Sequence, residues 1–369
     1  MRVSRDPATR RRRRALGAAA LGAAVAGAVL GAGGGHERRP ARTAAPPVRA
    51  AVAAVDRLTA LQRAGQLVVL RFRGTSAPPY VLRALRARRA AGVILFADNI
   101  ATPAQVRALT AALRRAARGR VLIATDQEGG AVQRIPWAAP RVGQPGLPTP
   151  AAAGAEAARA GRDLRAAGIN VTFAPVADVA AGPVVRSRAF PGGEDGVSAL
   201  VAASVRGYRG TGVAPTAKHF PGLGAASANT DFRVATARPQ LAPFRAAIAA
   251  GVPLVMASHA LYPQLDARRI ASQSPAILTD LLRRRLGFRG VVVTDSLEAK
   301  AVVRRWPTPV AAVRSVAAGA DLALTTGRGS YLPVLRALLR ASRRSAAFRA
   351  RVRESAARVL TLQERLRAR

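Results

Sequence analysis

The sequence predicts an α/β fold of the (β/α)8 TIM barrel type, built as a single large domain. Eight short apolar runs recur along the chain, with helical segments between them. Runs that are apolar on both faces are typical of the buried parallel strands of such a fold. The chain has 369 residues, of which 50% are hydrophobic, so it can bury one core of barrel size. Eight strands spread over about 270 residues match a barrel of this type.

The strands are predicted, in chain order, at residues 67–70, 93–96, 121–124, 171–173, 216–218, 254–256, 291–293 and 322–324. Polar residues stand at or shortly after five of them: Asp126 after the third, Asp178 after the fourth, Lys218 and His219 at the fifth, Ser258 and His259 at the sixth, and Asp295 at the seventh. The carboxyl ends of barrel strands meet at one mouth, which is where barrel enzymes carry their active sites. We therefore expect these residues to form one functional site, although Asp178 alone could equally be structural.

Lys218 draws attention because it is one of only two lysines in the chain, the other being Lys300. It lies in the run Ala217–Gly224, which reads AKHFPGLG. A compact ammonium can point at a single oxygen, whereas a guanidinium is a planar fork. The Pro-Gly-x-Gly segment allows the backbone to approach a ligand closely. The run indicates ligand binding by Lys218 and His219, with chance retention of one lysine as the alternative.

Residues 1–35 predict an export signal or an N-terminal membrane anchor. A basic run at 10–14 precedes an apolar stretch from Ala15 to about Ala32, followed by three glycines. This is the layout of an export signal, and its length approaches that of a membrane span. A soluble N-terminal helix is the alternative. Residues 36–55, rich in Ala, Pro and Arg, predict a linker to a barrel domain over 56–369. We therefore expect an exported protein of the bacterial cell envelope.

The formal net charge of +40 raises the question of nucleic acid binding. Arginines are scattered over the whole length, including predicted helices at 83–89 and 343–353, and aromatic residues make up only 4%. That is too few for a base-stacking platform, so we predict a solvated basic surface and no specific nucleic acid partner. Attraction to anionic cell-wall polymers or membrane surfaces would be a by-product of the charge. A basic scaffold protein is the competing class.

Composition and spacing also bear on cofactors. The chain has no cysteine, which excludes disulfides, thiolate metal sites and a lipid-modified N-terminal cysteine. The glycine-rich segments do not have the dinucleotide-binding pattern, and no metal-ligand spacing is present. No cofactor and no metal are predicted.

Taken together, the motifs resemble glycoside hydrolase family 3, and within it the single-domain β-N-acetylglucosaminidase (β-hexosaminidase) branch that trims peptidoglycan fragments. The resemblance covers about residues 58–330. Seven motifs occur in the order of the family, at 92–96, 126–134, 173–178, 188–190, 218–222, 258–259 and 290–295.

The resemblance implies a role for each matching residue. Asp295 matches the nucleophile, which forms a covalent glycosyl-enzyme intermediate and gives retention of configuration. The residues that match sugar contacts are Asp126, Arg134, Arg188, Lys218, His219 and His259. These would bind and orient a terminal β-linked N-acetylglucosamine, since hydrogen bonds that strengthen in the transition state contribute to catalysis.

The loop after the fifth strand departs from the family pattern. The branch carries an Asp-Ser-His signature there, whose histidine is the acid/base. This chain has Asn229, Thr230 and Asp231 at those positions and Leu223 in place of a further histidine. Asp231 is the candidate acid/base, provided that desolvation raises its pKa. The alternatives are an activated leaving group or an external anion such as phosphate, a sugar-binding or cell-wall-binding protein that has lost most turnover, and a β-glucosidase or glycoside phosphorylase.

Overall fold

The computed structural model describes residues 53–368. The predicted export signal or anchor at 1–35 lies outside the described residues, as does the predicted linker at 36–55 except for its last three residues. Residues 53–56 are helical. No helix within residues 53–368 combines the length and the apolar character that a membrane crossing requires.

The predicted barrel is confirmed. Its eight parallel strands are β1 Val68–Arg71, β2 Gly92–Leu95, β3 Leu122–Thr125, β4 Val171–Thr172, β5 Ala214–Phe220, β6 Leu254–Ala257, β7 Val291–Thr294 and β8 Ala323–Thr325. They are hydrogen-bonded in the order β7-β6-β5-β4-β3-β2-β1-β8. A further parallel bridge between Val293 and Leu322 joins β7 to β8 and completes the ring. Each predicted apolar run overlaps one strand, because a strand covered on both faces needs an uninterrupted apolar sequence.

Helices connect the strands on the outside. They are α1 Ala60–Gly65, α2 Pro79–Arg86, α3 Pro103–Ala116, α4 Pro150–Ala166, α5 Glu194–Gly207, α6 Ala242–Ala249, a π-helix Ala276–Arg285, α7 Lys300–Val303, α8 Thr308–Ala318, α9 Tyr331–Arg344 and α10 Ala346–Arg367. Shorter elements are the 3-10 turns Ala97–Asn99, Gln144–Gly146 and Ala271–Gln273, and the hairpins Gln127–Gly129 with Val132–Gln133 and Leu261–Tyr262 with Asp266–Ile270. Threonine caps start α3 and α4, each followed by proline at the first helical position.

The two basic helices predicted from the sequence end earlier than expected. α2 ends at Arg86, and Arg88 adopts a left-handed conformation with φ 57°. The predicted helix 343–353 is interrupted at Ser345, whose side chain accepts the N–H of Phe348 at 3.2 Å and starts α10. A serine cap can thus divide a run of good helix formers into two helices.

Helix α10 covers one end of the barrel and leaves the other end open. Its residues Val359, Leu362 and Leu366 belong to the same apolar cluster as the side chains that fill the barrel interior, such as Val69 and Leu122. Because α10 covers the amino-terminal ends of the strands, the carboxyl-terminal mouth is the face left for a ligand.

Candidate active site

Asp295 follows β7 directly and lies in the mouth, with 21% of its side chain exposed. Its backbone N–H donates to the carbonyl of Ala257 at the end of β6, and its Oδ1 accepts the N–H of Ser296 at 2.7 Å. Burial by itself would raise the pKa of Asp295, but the neighbouring His219 and the Ser296 N–H hold the pKa below its usual value. The carboxylate is therefore ionised at neutral pH, as a nucleophile must be.

His219 stands beside this carboxylate and is oriented by Asp178. Its Nε2 lies 3.9 Å from Asp295 Oδ2, and its Nδ1 lies 2.7 Å from Asp178 Oδ2. Since a carboxylate accepts, Nδ1 carries the proton. Asp178 is fully buried and also accepts the backbone N–H groups of His219 and Leu223. Of the two interpretations that the sequence left open for Asp178, the structure supports a positioning role beside the site.

Lys218 lies at the end of β5 between two carboxylates. Its Nζ is 2.8 Å from Asp126 Oδ1 and 2.6 Å from Glu128 Oε1, and its side chain is only 2% exposed. Burial by itself would lower the pKa of Lys218, but Asp126 and Glu128 raise it above its usual value. The ammonium is therefore kept charged in a place where an isolated one would lose its proton.

Glu128 is the residue that the sequence interpretation missed. Arg188 donates from Nε and Nη2 to its two carboxylate oxygens at 2.8 and 2.7 Å, while Lys218 contacts it from another side. Burial by itself would raise the pKa of Glu128, but Lys218 and Arg188 lower it to about 2. The signal in the sequence that could have identified Glu128 was its position within the motif at 126–130.

The predicted sugar contacts therefore fall into two groups. Lys218 links Asp126 to Glu128, and Glu128 in turn binds Arg188. His219 follows Lys218 in the chain and faces Asp295. Arg134 lies apart from this network, with its Cζ 5.6 Å from the ring centre of Phe96 at the end of β2. Its Nε is buried and has no hydrogen-bond partner within residues 53–368.

His259 differs from the expectation of a direct sugar contact. The residue is fully buried, and both ring nitrogens are hydrogen-bonded to protein. Nε2 donates to the carbonyl of Ser296 at 2.9 Å, and Nδ1 accepts from the hydroxyl of Ser272 at 2.8 Å. Burial lowers the pKa of His259, which favours this neutral form. His259 thus holds the backbone that follows the nucleophile and leaves no ring nitrogen for a substrate.

Asp231 lies in an exposed loop that is fastened to the segment after β7. The carbonyls of Thr230 and Asp231 accept the N–H groups of Ala301 and Lys300 at the start of α7, and Asn229 Oδ1 accepts the N–H of Asp231 at 2.8 Å. Partial withdrawal from water and the nearby charge of Asp295 raise the pKa of Asp231. The loop after β5 and the strand that carries Asp295 thus bring two carboxyl groups to one mouth.

The two carboxyl groups differ in protonation tendency in the way that glycoside hydrolysis requires. The pKa of Asp295 is lowered and the pKa of Asp231 is raised, and glycosidases use two carboxyl groups whose pKa values are shifted apart in this way. Within residues 53–368, no three side chains of His, Asp or Glu are grouped so as to hold a metal ion. A barrel that carries such a pair at its mouth, beside the charged network of Lys218, Glu128 and Arg188, has the architecture of a glycosidase.

The family follows from comparison with known proteins. The glycosyl hydrolase family 3 N-terminal domain matches residues 60–362, and the chain belongs to this family. A β-hexosaminidase of Stenotrophomonas maltophilia (strain K279a) is 39% identical over 258 residues, which cover 63% of this chain and 75% of that protein. The resemblance inferred from the motifs is thereby confirmed.

Two solved structures are similar over most of the chain. The family 3 β-N-acetylglucosaminidase from Paenibacillus sp. str. FPU-7 has a TM-score of 0.80 and 36% identity, covering 84% of this chain. The match spans only 63% of the Paenibacillus chain. The β-N-acetylhexosaminidase from Beutenbergia cavernae DSM 12333 has a TM-score of 0.77 and 32% identity, covering 83% of this chain and 99% of that one.

Proposed function

We propose that this protein is a retaining exo-glycosidase that removes terminal β-linked N-acetylglucosamine. The observation that carries the proposal is the ionised carboxylate of Asp295, which faces His219 in the mouth at 3.9 Å. The names of the relatives, β-hexosaminidase and β-N-acetylglucosaminidase, support the choice of sugar.

The reaction proceeds in two displacements. Asp295 attacks the anomeric carbon, and the bond to the leaving group breaks as Asp231 donates a proton to the departing oxygen. The sugar is then covalently bound to Asp295. Asp231 next takes a proton from water, whose oxygen attacks the same carbon and releases Asp295. Two inversions at one carbon give net retention.

The charged network beside Asp295 binds the sugar. Asp126 accepts hydrogen bonds from sugar hydroxyls, while Lys218 and Arg188 donate to sugar oxygens. Because Lys218 and Arg188 are already held by Glu128, little conformational entropy is lost when the sugar binds. His219, oriented by Asp178, presents Nε2 to a hydroxyl next to the reacting carbon.

Hydrolysis of an aryl β-N-acetylglucosaminide beside an aryl β-glucoside tests the proposal. Asp295→Asn should lower kcat by at least about 10³-fold, because it removes the nucleophile. Asp56→Asn makes the same chemical change at an exposed side chain that pairs with Arg353 of α10, at the amino-terminal end of the barrel, and should keep full activity. Undiminished turnover by Asp295→Asn would refute the proposal. A preference for the glucoside would reassign the enzyme as a β-glucosidase.

A second candidate is a sugar-binding protein of the same fold with little turnover, and the exposure of Asp231 favours it. Asp231→Ala distinguishes the two. If Asp231 donates the proton, the variant should lose about 10² to 10⁴ in rate on a substrate with a poor leaving group and far less on an activated aryl substrate. Equal losses on both substrates, or none, would remove Asp231 from the mechanism.

The natural substrate and the location complete the proposal. We infer that the sugar is released from peptidoglycan or its fragments outside the cytoplasm, since residues 1–35 have the pattern of an export signal or anchor. Fractionation of cells expressing the full chain or a chain lacking residues 1–35 should find only the former in the envelope or medium. Retention of the full chain in the cytoplasm would refute the location.

A further inference from the structure

The mouth of the barrel contains a second feature that the proposed mechanism does not use. An open cleft of about 670 Å³ lies over the ends of β1 and β2. Its charged lining residues are Arg71, Arg73, Arg134 and Asp98, with the ring of Phe96 among them. Three guanidinium groups and one carboxylate leave the cleft with two net positive charges.

Two of the guanidinium groups are held against the same aromatic ring. Arg71 Cζ lies 4.5 Å and Arg134 Cζ lies 5.6 Å from the ring centre of Phe96. Arg71 also donates from Nη2 to both oxygens of Asp98 at 3.2 Å. Contact with an aromatic face fixes the plane of a guanidinium group. The two groups are therefore oriented before any ligand arrives.

The hydrogen-bonding capacity of the cleft is largely unused. The Nε atoms of Arg71 and Arg134 are buried without a partner within residues 53–368. Arg71 pairs with Asp98, but neither Arg73 nor Arg134 forms an ion pair with any of the described residues. The buried Nε–H groups face protein, so the donors available to an acceptor from outside are the terminal guanidinium nitrogens of Arg73 and Arg134, which form no ion pair within the described residues.

The loop that carries Arg73 is fastened to the barrel. Asn99 Nδ2 donates to the carbonyls of Phe72 and Gly74 at 3.1 and 2.8 Å, and Gln105 Nε2 donates to the carbonyl of Thr75 at 2.6 Å. Arg73 itself is exposed. The loop thus presents an exposed guanidinium group from a fixed backbone beside the two that contact Phe96.

The order of the strands defines which part of a substrate would reach this cleft. β1 and β2 lie between β8 and β3, across the ring from β5, whose following loop carries Asp231. In the proposed function the leaving group is on the Asp231 side. The cleft therefore lies on the side of the sugar remote from the glycosidic bond, and Arg134 is common to the cleft and to the predicted sugar contacts.

We propose that this arginine cleft binds an oxyanion carried by the sugar itself, a sulfate or phosphate ester at C4 or C6. The inference rests on the proposed function and names a substrate class for the same site. Guanidinium groups bind such esters through paired charge-assisted hydrogen bonds, which a neutral sugar cannot make.

The test compares aryl β-N-acetylglucosaminides that bear a 4- or 6-sulfate or a 4- or 6-phosphate with the unsubstituted compound. At least one ester should be hydrolysed with a kcat/KM about tenfold or more above that of the neutral substrate, as expected for one hydrogen bond to a charged group. Arg73→Gln should reduce the ratio of kcat/KM for the ester to kcat/KM for the neutral substrate toward one. Comparison of the sulfated with the phosphorylated substrates identifies the ester. Arg365→Gln removes the same charge from an exposed side chain on α10, at the opposite end of the barrel. This variant should keep the ratio of the wild type.

Binding provides a readout that does not depend on turnover. Calorimetry should give tighter binding of a sulfated or phosphorylated N-acetylglucosamine than of N-acetylglucosamine, with the difference lost in Arg73→Gln. Equal kcat/KM and equal binding for all compounds would overturn the proposal that the cleft binds a sulfate or phosphate ester. Hydrolysis of the neutral substrate would still support the proposed function. A preference that follows an anion placed on the leaving group, or one that Arg365→Gln abolishes equally, would also overturn the proposal that the cleft binds an ester.

Discussion

At the scale of single residues, the site depends on two aspartates whose environments shift their pKa values in opposite directions. Asp295 has a lowered pKa because His219 and the Ser296 N–H outweigh its burial. Asp231 has a raised pKa because it is partly withdrawn from water and lies near the charge of Asp295. A pair of carboxyl groups separated in this way is how a glycosidase assigns nucleophile and acid.

The pH dependence of kcat/KM follows from these shifts. In the proposed mechanism, activity requires ionised Asp295, so it should fall only at pH values below the ordinary aspartate pKa of about 3.9. The proposed mechanism also requires protonated Asp231, so activity should fall as the pH rises through the raised pKa of that group. Asp231→His should move the alkaline limb toward the ordinary histidine pKa of about 6.5. A pH profile with an unmoved alkaline limb in this variant would show that another group donates the proton.

At the scale of elements, the hairpin after β3 determines whether the charged network of Lys218, Glu128 and Arg188 can form. Gly129 and Gly130 have φ values of 87° and 58°, and a Cβ on Gly129 would lie 2.4 Å from the carbonyl of Val142. Gln127 Oε1 accepts the N–H groups of Arg134 and Ile135 at 3.0 Å each. This tight hairpin carries Glu128 inward to Lys218, because only glycine fits both the conformation and the space.

Replacement of Glu128 tests the importance of this network for stability. Glu128→Gln leaves Lys218 and Arg188 buried with one carboxylate fewer, and should lower the free energy of unfolding by about 3 to 5 kcal/mol. Glu156→Gln on α4 removes a carboxylate whose partner Arg159 is 60% exposed, and should cost about 1 kcal/mol or less. Urea unfolding measures both. Equal midpoints for the two variants would contradict a special role for Glu128.

At the scale of the whole molecule, the buried carboxylate of Asp321 fastens α10 across the closed end of the barrel. Asp321 is fully buried just before β8 and accepts hydrogen bonds from Arg283 of the π-helix and from Arg351 and Arg358 of α10. It also accepts the N–H of Val292 in β7 at 2.9 Å. One side chain therefore connects a strand, the π-helix and the last helix.

Acid sensitivity should follow from Asp321. Burial by itself would raise its pKa, but the three arginines lower it below the usual value. A lowered folded-state pKa stabilises the fold above the unfolded pKa of about 3.9, and this contribution is lost as the pH falls through the folded-state value. Asp321→Asn should thus lower the free energy of unfolding by about 3 to 5 kcal/mol near pH 7. The difference from the wild type should become progressively smaller as the pH falls below about 3.9.

Thermal or urea unfolding as a function of pH measures this difference. Asp280→Asn, which removes an exposed partner of Arg284, should have little effect at any pH. A deficit of Asp321→Asn that stays constant from pH 7 into the acid range would refute the assignment of the effect to the charge of Asp321.

The sequence by itself determined the barrel, the order of its strands and the mouth at which Asp295, Lys218 and His219 meet. Apolar runs of strand length are a local signal, and the topology then brings every strand end to the same rim. The family could be inferred for the same reason, since its motifs lie at those strand ends.

Only the tertiary structure decided which polar residues face a ligand and which are bound by protein. Asp178, Glu128 and His259 stand in similar motifs, yet Asp178 orients His219, Glu128 joins two cations, and His259 is closed off by Ser272 and Ser296. Such roles depend on partners that lie far apart in the chain, and no local pattern records which donor meets which acceptor once the side chains are buried.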